Sequence, residues 1–197
     1  MPALLIEQFL FQQAKKMKKI AITITLFISA FTAGAQTATT AAASQQVNMN
    51  LTDAIAITFV NSGTTTGSAV TMSFKTVKNY SSGISSAAQQ FKVQSNKNFI
   101  ISVNTNAANF SYTGTEMPAP VMPVNILSMK VTANATGGSL VSPFNNFGSL
   151  ASTSQDVINN GSYGGNQTFS VKYKAMPGFS YPAGTYTTTV VFTATQP

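Results

Sequence analysis

Few side chains in this chain could carry out acid–base or nucleophilic chemistry. The 197 residues include no His and no Cys, which rules out a Ser-His-Asp triad and any thiolate metal site. The carboxylates are Glu7, Asp53, Glu116 and Asp156, each isolated among neutral residues. Glycoside hydrolysis needs two carboxylates across one bond, and a calcium loop needs several at short spacing. We therefore expect no enzyme and predict no catalytic, cofactor-binding or metal-binding residues.

Lysine supplies all the positive charge. Eleven lysines and four carboxylates give a net charge of +7. Four of these lysines and Glu7 precede residue 36, which leaves seven lysines against three carboxylates, or +4. The seven stand singly or in loose pairs such as Lys172 and Lys174. Because the chain has no dense basic stripe and no Arg, we do not expect nucleic acid as a partner. A Ser-Lys pair or a Lys-Asn isopeptide crosslink is compatible with the composition, but no motif marks either one.

The N-terminal region has the three parts of a secretory signal. A basic start at residues 17–19 precedes an apolar run at residues 20–31 and a small-x-small site at residues 33–35. The apolar run is too short and too often interrupted by Thr and Ser to span a bilayer. We therefore expect a protein that is secreted or displayed at the cell surface, without a stable membrane span after cleavage. The predicted segments are an upstream extension (1–16) and a signal peptide (17–35) cleaved after Ala35.

The elements that would position any site are β-strands. Residues 36–46 are small and polar and are expected to form a flexible leader, and residues 47–197 are expected to form one domain. Apolar residues alternate with polar ones in short segments separated by Gly, Asn, Ser and Pro, as in half-buried antiparallel strands. No helix is predicted. About eight such strands indicate a sandwich or a barrel, and we expect an all-β, antiparallel two-sheet sandwich. The alternating segments are residues 47–51, 55–59, 70–74, 91–93, 99–103, 127–131, 168–175 and 185–195.

Three connections carry specific expectations. Residues 95–98 are predicted to be the turn of a β-hairpin. The proline-rich residues 117–123 are predicted to be an edge or a crossover, since Pro cannot donate to a ladder. Residues 142–165 are predicted to be a long polar excursion with at most a short strand near Val157. The predicted core consists of Ile55, Ile57, Phe59, Phe74, Phe91, Val93, Phe99, Ile101, Val103, Phe169, Val171, Tyr186, Val190 and Phe192.

The end of the chain carries a family resemblance. Pro182-Ala183-Gly184-Thr185-Tyr186 leads into alternating Thr and Val through residue 193. This resembles the closing strand of pilin-like fimbrial subunits and spore-coat-U-like domains, and residues 53–57 and 165–171 fit the same plan. The resemblance covers residues 47–197 in outline. Together with the signal, it implies an exported structural or adhesive subunit of the bacterial surface, with an immunoglobulin/pilin-like sandwich fold, and it carries over no site residues. The Cys pair of many pilins is missing here.

Self-association or association with other surface subunits is the expected partnership. Many pilins lack a final strand that a neighbouring subunit supplies, and an extended segment can add as a strand to an open sheet edge. Residues 36–51 could supply such a strand, because the leader runs directly into alternating Val47, Met49 and Leu51. The alternative is that residues 36–44 are only a spacer after the cleavage site.

A second functional class is a carbohydrate-binding β-sandwich module, with a glycan as partner. Several aromatic residues fall in or beside the expected loops, near pairs of Asn. They could staple the loops onto the sandwich, or they could form a sugar-stacking platform with amide hydrogen bonds. The residues concerned are Tyr112, Phe144, Phe147, Tyr163, Phe179 and Tyr181, with Asn145, Asn146, Asn159 and Asn160.

Overall fold

The computed structural model describes residues 41–197. The predicted extension, signal peptide and cleavage site, and residues 36–40 of the leader, lie outside the described residues. A compact unit spans Asn50–Pro197. Residues 41–49, the described part of the preceding unit, form neither helix nor strand, and their side chains are exposed.

Most of the regular secondary structure in the compact unit is β-strand. One helix, α1, spans Val77–Ser82, and a 3-10 turn spans Val124–Ile126. The strands are β1 (Ile55–Phe59), β2 (Ile84–Ser85), β3 (Gln89–Ser95), β4 (Phe99–Thr105), β5 (Ser111–Thr113), β6 (Leu127–Ala135), β7 (Ser139–Leu140), β8 (Gly148–Ser149), β9 (Gln155–Gly161), β10 (Gly164–Ala175), β11 (Thr185–Thr187) and β12 (Val190–Thr195).

These strands form two main antiparallel sheets. The first has the order β1-β3-β10-β6-β8, with β2 also paired to β10. The second has the order β12-β4-β9-β7, and β11 pairs with β5 in a small separate sheet. Buried and less buried residues alternate along β3, β4 and β10. The predicted all-β antiparallel sandwich is confirmed.

An aromatic cluster joins the two sheets. Phe91 of β3 stacks on Phe169 of β10 at 4.9 Å between ring centroids, and Phe192 of β12 contacts Phe91 at 4.4 Å. The predicted core residues on β3, β4 and β10 are fully buried. Ile57 and Phe59 of β1 and Val190 and Phe192 of β12 are only partly buried, because these strands lie at the sheet edges. The prediction of Ile55 as a core residue is wrong, since it is 36% exposed at the outer end of β1. Tyr186 lies in the small sheet and does not belong to the core.

The predicted hairpin across residues 95–98 is wrong. Strands β3 and β4 belong to different sheets, so the turn between them is an arch across the sandwich. Both strands carry apolar residues at every second position, and each buries that face in the same core. The alternation therefore places the faces correctly but cannot show which strands share hydrogen bonds.

Two predicted strands have no ladder partner. Residues 47–51 form no strand, and Val47, Met49 and Leu51 are 79%, 82% and 89% exposed. Residues 70–74 are also outside any strand, although Met72 and Phe74 pack against the core. Alternation gives both segments an apolar face, but a strand also requires backbone partners.

Helix α1 was not predicted, and β9 is longer than the short strand expected near Val157. Helix α1 begins with a capping box, in which the Thr76 hydroxyl accepts from the Asn79 backbone N–H at 3.3 Å and Asn79 Oδ1 accepts from the Thr76 N–H at 3.0 Å. The polar excursion contains all of β9, and Phe144 and Val157 are fully buried. Polar neighbours conceal these few apolar residues in a sequence window.

The prediction for the proline-rich segment is confirmed, whereas the prediction of one closing strand is wrong. Residues 117–123 contain no strand and lead from the small sheet to β6, as expected for a proline-rich crossover. The single closing strand predicted at residues 185–195 is instead two strands, β11 and β12. Thr188 and Thr189 separate them and belong to neither. Asn106 Oδ1 accepts a hydrogen bond from the Thr189 N–H at 2.9 Å and holds the chain at this break.

Candidate interaction groove

A groove opens between residues 65–74 and residues 185–191 at one side of the sandwich. Its cavity volume is about 890 Å³. The lining is largely apolar and includes the core residues Leu127 and Ala175. Further lining side chains come from Phe59, Tyr80, Phe110, Met122, Ile126, Tyr173 and Tyr181.

Both walls of the groove are extended segments with free backbone edges. In the described part of the chain, no backbone hydrogen bond joins residues 67–74 to another segment. On the opposite wall, β12 is an edge strand that pairs only with β4, and β11 pairs only with β5. Unpaired N–H and C=O groups at a strand edge are able to bind a further strand. The groove therefore combines an apolar floor with two hydrogen-bonding walls.

The groove lies at one end of the sandwich, as the strand registers show. Phe59, which lines the groove, pairs with Phe91, whereas Ile55 at the other end of β1 pairs with Ser95. Val190 of β12 also lines the groove and pairs with Thr105 at the far end of β4 from the arch. The arch at residues 96–98 is therefore at the opposite end of the sandwich from the groove.

The arch holds the chain where it enters β1. The Asn96 side chain donates to the Thr52 carbonyl at 2.7 Å and accepts from the Ala54 N–H at 2.9 Å. Lys97 Nζ lies 2.6 Å from Asp53 Oδ2, and both side chains are more than half exposed. The Asp53 carboxylate thus accepts a hydrogen bond from the Lys97 ammonium. A turn residue would instead accept from backbone N–H groups. We call these contacts of residues 52–54 with residues 96–97 the arch clasp.

Three tyrosines cluster at the rim of the groove. The ring of Tyr186 lies 5.1 Å from that of Tyr112 and 6.4 Å from that of Tyr181. The hydroxyls of Tyr186 and Tyr112 donate to the carbonyls of Pro182 and Ala183, each at 3.0 Å. Desolvation, with smaller effects from the two other tyrosines and Glu116, raises the pKa of Tyr186. These neutral phenols brace the turn that precedes β11.

The six aromatic residues considered for a sugar platform do not lie together. Phe144 is in the core, and Tyr112 and Tyr181 belong to the tyrosine cluster. Phe179 stacks on Tyr80 at 5.5 Å between ring centroids. The remaining two are Phe147, which lies near Lys130 and Lys174, and Tyr163, which lies in the β9–β10 connection.

The carboxylates are equally dispersed. Asp53 is in the arch clasp, Glu116 is in the turn after β5, and Asp156 is exposed on β9. Among residues 41–197, no three His, Cys, Asp or Glu side chains are grouped so that they could hold a metal ion. No helix in this part of the chain has the length and apolar character needed to cross a membrane.

Comparison with known proteins adds no functional assignment. No protein-family model matches the chain, and no curated protein is significantly similar to it in sequence. The function is therefore argued from the groove and from the side chains around it.

Proposed function

We propose that this protein is an exported structural or adhesive subunit of the bacterial surface, and that it assembles by strand addition into fimbria-like or coat-like polymers. The observation that carries the proposal is the groove, in which residues 67–74, which have no backbone partner within residues 41–197, and the free edges of β11 and β12 flank an apolar floor. A single β-strand inserted there would satisfy backbone groups on both walls and bury its apolar side chains. The resemblance to fimbrial and spore-coat-U-like subunits supports the same class of function.

The segment before β1 has the properties of such a strand. Val47, Met49 and Leu51 alternate with Asn48 and Asn50, and all five side chains are exposed. Burying an aliphatic side chain of this size contributes about 1.5–3 kcal/mol. That gain offsets the conformational entropy lost when a segment without secondary structure is ordered. We therefore propose residues 45–51 of a second copy as the strand that enters the groove.

The geometry of the compact unit favours a linear polymer. The arch clasp anchors residues 52–54 at one end of the sandwich, and the groove opens at the other. A contact between two different surfaces of identical subunits is heterologous, and repeating it gives a filament unless the rotation closes a ring. Head-to-tail growth follows because the donor segment joins the compact unit through residues 52–54, at the end opposite the groove.

The test uses the full exported chain, examined by light scattering and negative-stain electron microscopy. The wild type is expected to form filaments or a ladder of oligomers. Met49→Asp places a charge on the apolar face of residues 45–51 and is expected to leave monomers. Asn48→Asp is the matched control, because it adds the same charge on the opposite face and should still assemble.

A peptide experiment separates the acceptor from the donor. A synthetic peptide of residues 44–53 is expected to bind the Met49→Asp protein, whose groove is intact, whereas the same peptide carrying Met49→Asp is not. Filaments formed by the Met49→Asp protein would exclude residues 45–51 as the donor. Failure of the wild-type peptide to bind would exclude the groove as its acceptor. A wild-type protein that stays monomeric at high concentration would overturn the proposed function.

A further inference from the structure

The outer face of the first sheet brings three lysines together. Lys130 of β6 lies directly opposite Lys172 of β10, and Lys174 follows two residues along β10. Successive side chains on a strand point to opposite faces. Because Val171 and Tyr173 are buried in the core, these lysines project from the other side of the sheet.

An exposed aromatic ring completes this surface. Phe147 lies in the turn before β8 with its side chain 36% exposed. The Nζ atoms of Lys130 and Lys174 lie 5.1 and 5.9 Å from its ring centroid. We call Lys130, Lys172, Lys174 and Phe147 the lysine face. Attraction between an ammonium and an aromatic ring is weak at exposed sites and leaves the positive charge in place.

The lysine face has no negative partner among residues 41–197. Asp53 is paired with Lys97 in the arch clasp, at the arch between the two sheets. Asp156 is on β9 of the opposite sheet, and Glu116 follows β5 of the small sheet. Like charges placed directly opposite on neighbouring strands are destabilising. The repulsion between Lys130 and Lys172 therefore lowers the stability of the free protein, and a bound anion would reduce that repulsion.

We propose that the lysine face binds an acidic polysaccharide. Its charge is complementary to the carboxylates of such a polymer, and the outward neighbours supply hydroxyl and amide groups for neutral sugar hydroxyls. Those neighbours are Ser170 of β10 and Gln90 of β3. The hydroxyls of Ser128 and Thr132 of β6 donate to the carbonyls of Lys174 and Ser170, so they can only accept from a sugar hydroxyl. A bilayer surface fits less well, because binding to a bilayer requires apolar side chains that insert into it, and Phe147 is the only apolar member of the lysine face. This binding surface is separate from the groove and does not depend on assembly.

The experiment measures binding of the full chain to polygalacturonate, with neutral dextran and phosphatidylglycerol-containing vesicles as comparison probes. Lys130→Gln with Lys172→Gln is expected to weaken polygalacturonate binding by about tenfold, since two close ammonium groups are removed. The control, Lys75→Gln with Lys78→Gln, has the same net charge, but neither residue is on a strand of this sheet. It should bind within about twofold of the wild type, and binding should weaken as salt is raised.

Several outcomes would overturn the proposal. Equal losses in the two double variants would show that net charge, and not the lysine face, governs binding. Tighter binding to the vesicles than to polygalacturonate would assign the surface to anionic lipid instead. Equal binding to dextran and to polygalacturonate would show that the negative charge of the polysaccharide is not recognised. Thermal unfolding of each variant confirms that the comparison is made between folded proteins.

Discussion

Lys130 and Lys172 occupy directly opposed positions on adjacent antiparallel strands in the first sheet. Because opposed like charges destabilise a sheet, Lys172→Gln is expected to increase the free energy of unfolding by about 0.2–1 kcal/mol. Urea denaturation at low and high salt measures the change, which should shrink at high salt because the repulsion is screened. A decrease in stability, or a change independent of salt, would contradict the repulsion.

The polar excursion offers a matched pair of phenylalanines three positions apart. Phe144 is fully buried in the core, whereas Phe147 is exposed on the lysine face. Phe144→Ala is expected to lower the free energy of unfolding by about 3–5 kcal/mol. Phe147→Ala should change it by about 0.5 kcal/mol or less, as exposed substitutions usually do. Similar losses in the two variants, measured by urea denaturation, would be inconsistent with the burial described for this segment.

The central strand β10 provides a second stability test. Phe169 is buried and stacks on Phe91 between the two sheets. Phe169→Ala is expected to cost about 3–5 kcal/mol, because it removes a large apolar side chain and leaves a cavity. Tyr163→Ala, at an exposed position, is the control and should remain within about 0.5 kcal/mol of the wild type. A near-neutral Phe169→Ala would mean that the register of β10 is different.

Tyr173 makes the protein sensitive to alkaline conditions. Burial raises the pKa of its phenol above the ordinary value of 10.0, because desolvation disfavours the phenolate. The folded state therefore keeps the neutral form, and this contribution to stability is fully present below pH 10 and is lost as the pH rises further. Tyr173→Phe should reduce the alkaline loss measured by thermal unfolding, whereas Tyr163→Phe should not. Parallel pH profiles of stability for the wild type and Tyr173→Phe would show that Tyr173 does not cause the alkaline loss.

The predicted export signal is tested on protein recovered from the cell surface. Intact-mass and N-terminal analysis should show a chain that begins at Gln36, after the small-x-small site. Ala35→Trp should prevent cleavage at this position, because the site requires a small residue. A wild-type protein that retained Met1 or Met17 would show that the signal is not cleaved.

Period-two alternation was enough to predict the fold class and most of the strands. Strands such as β4 and β10 carry apolar residues at every second position, and these side chains are buried. The core contribution of Phe144 escaped prediction, and β9 was expected only as a short strand near Val157, because the apolar residues here are few and lie among Asn, Ser and Gly. Helix α1 was missed for a related reason. It is short and has no buried residue, so it leaves no apolar stripe in the sequence.

The candidate sites depended on tertiary structure. The alternation of Val47, Met49 and Leu51 was visible in the sequence, but the groove that could receive it was not. The groove exists because residues 67–74 lack a backbone partner and β12 lies at an edge, and such pairing is a long-range property.

By itself, the sequence determined that this is an antiparallel β protein with isolated carboxylates and no His or Cys, because composition and local periodicity suffice for those conclusions. Tertiary structure alone decided which strands pair. Lys130 and Lys172 are far apart along the chain and looked scattered, yet the register of β6 and β10 places them side by side. Register depends on contacts between distant segments, so no local pattern could have predicted the lysine face.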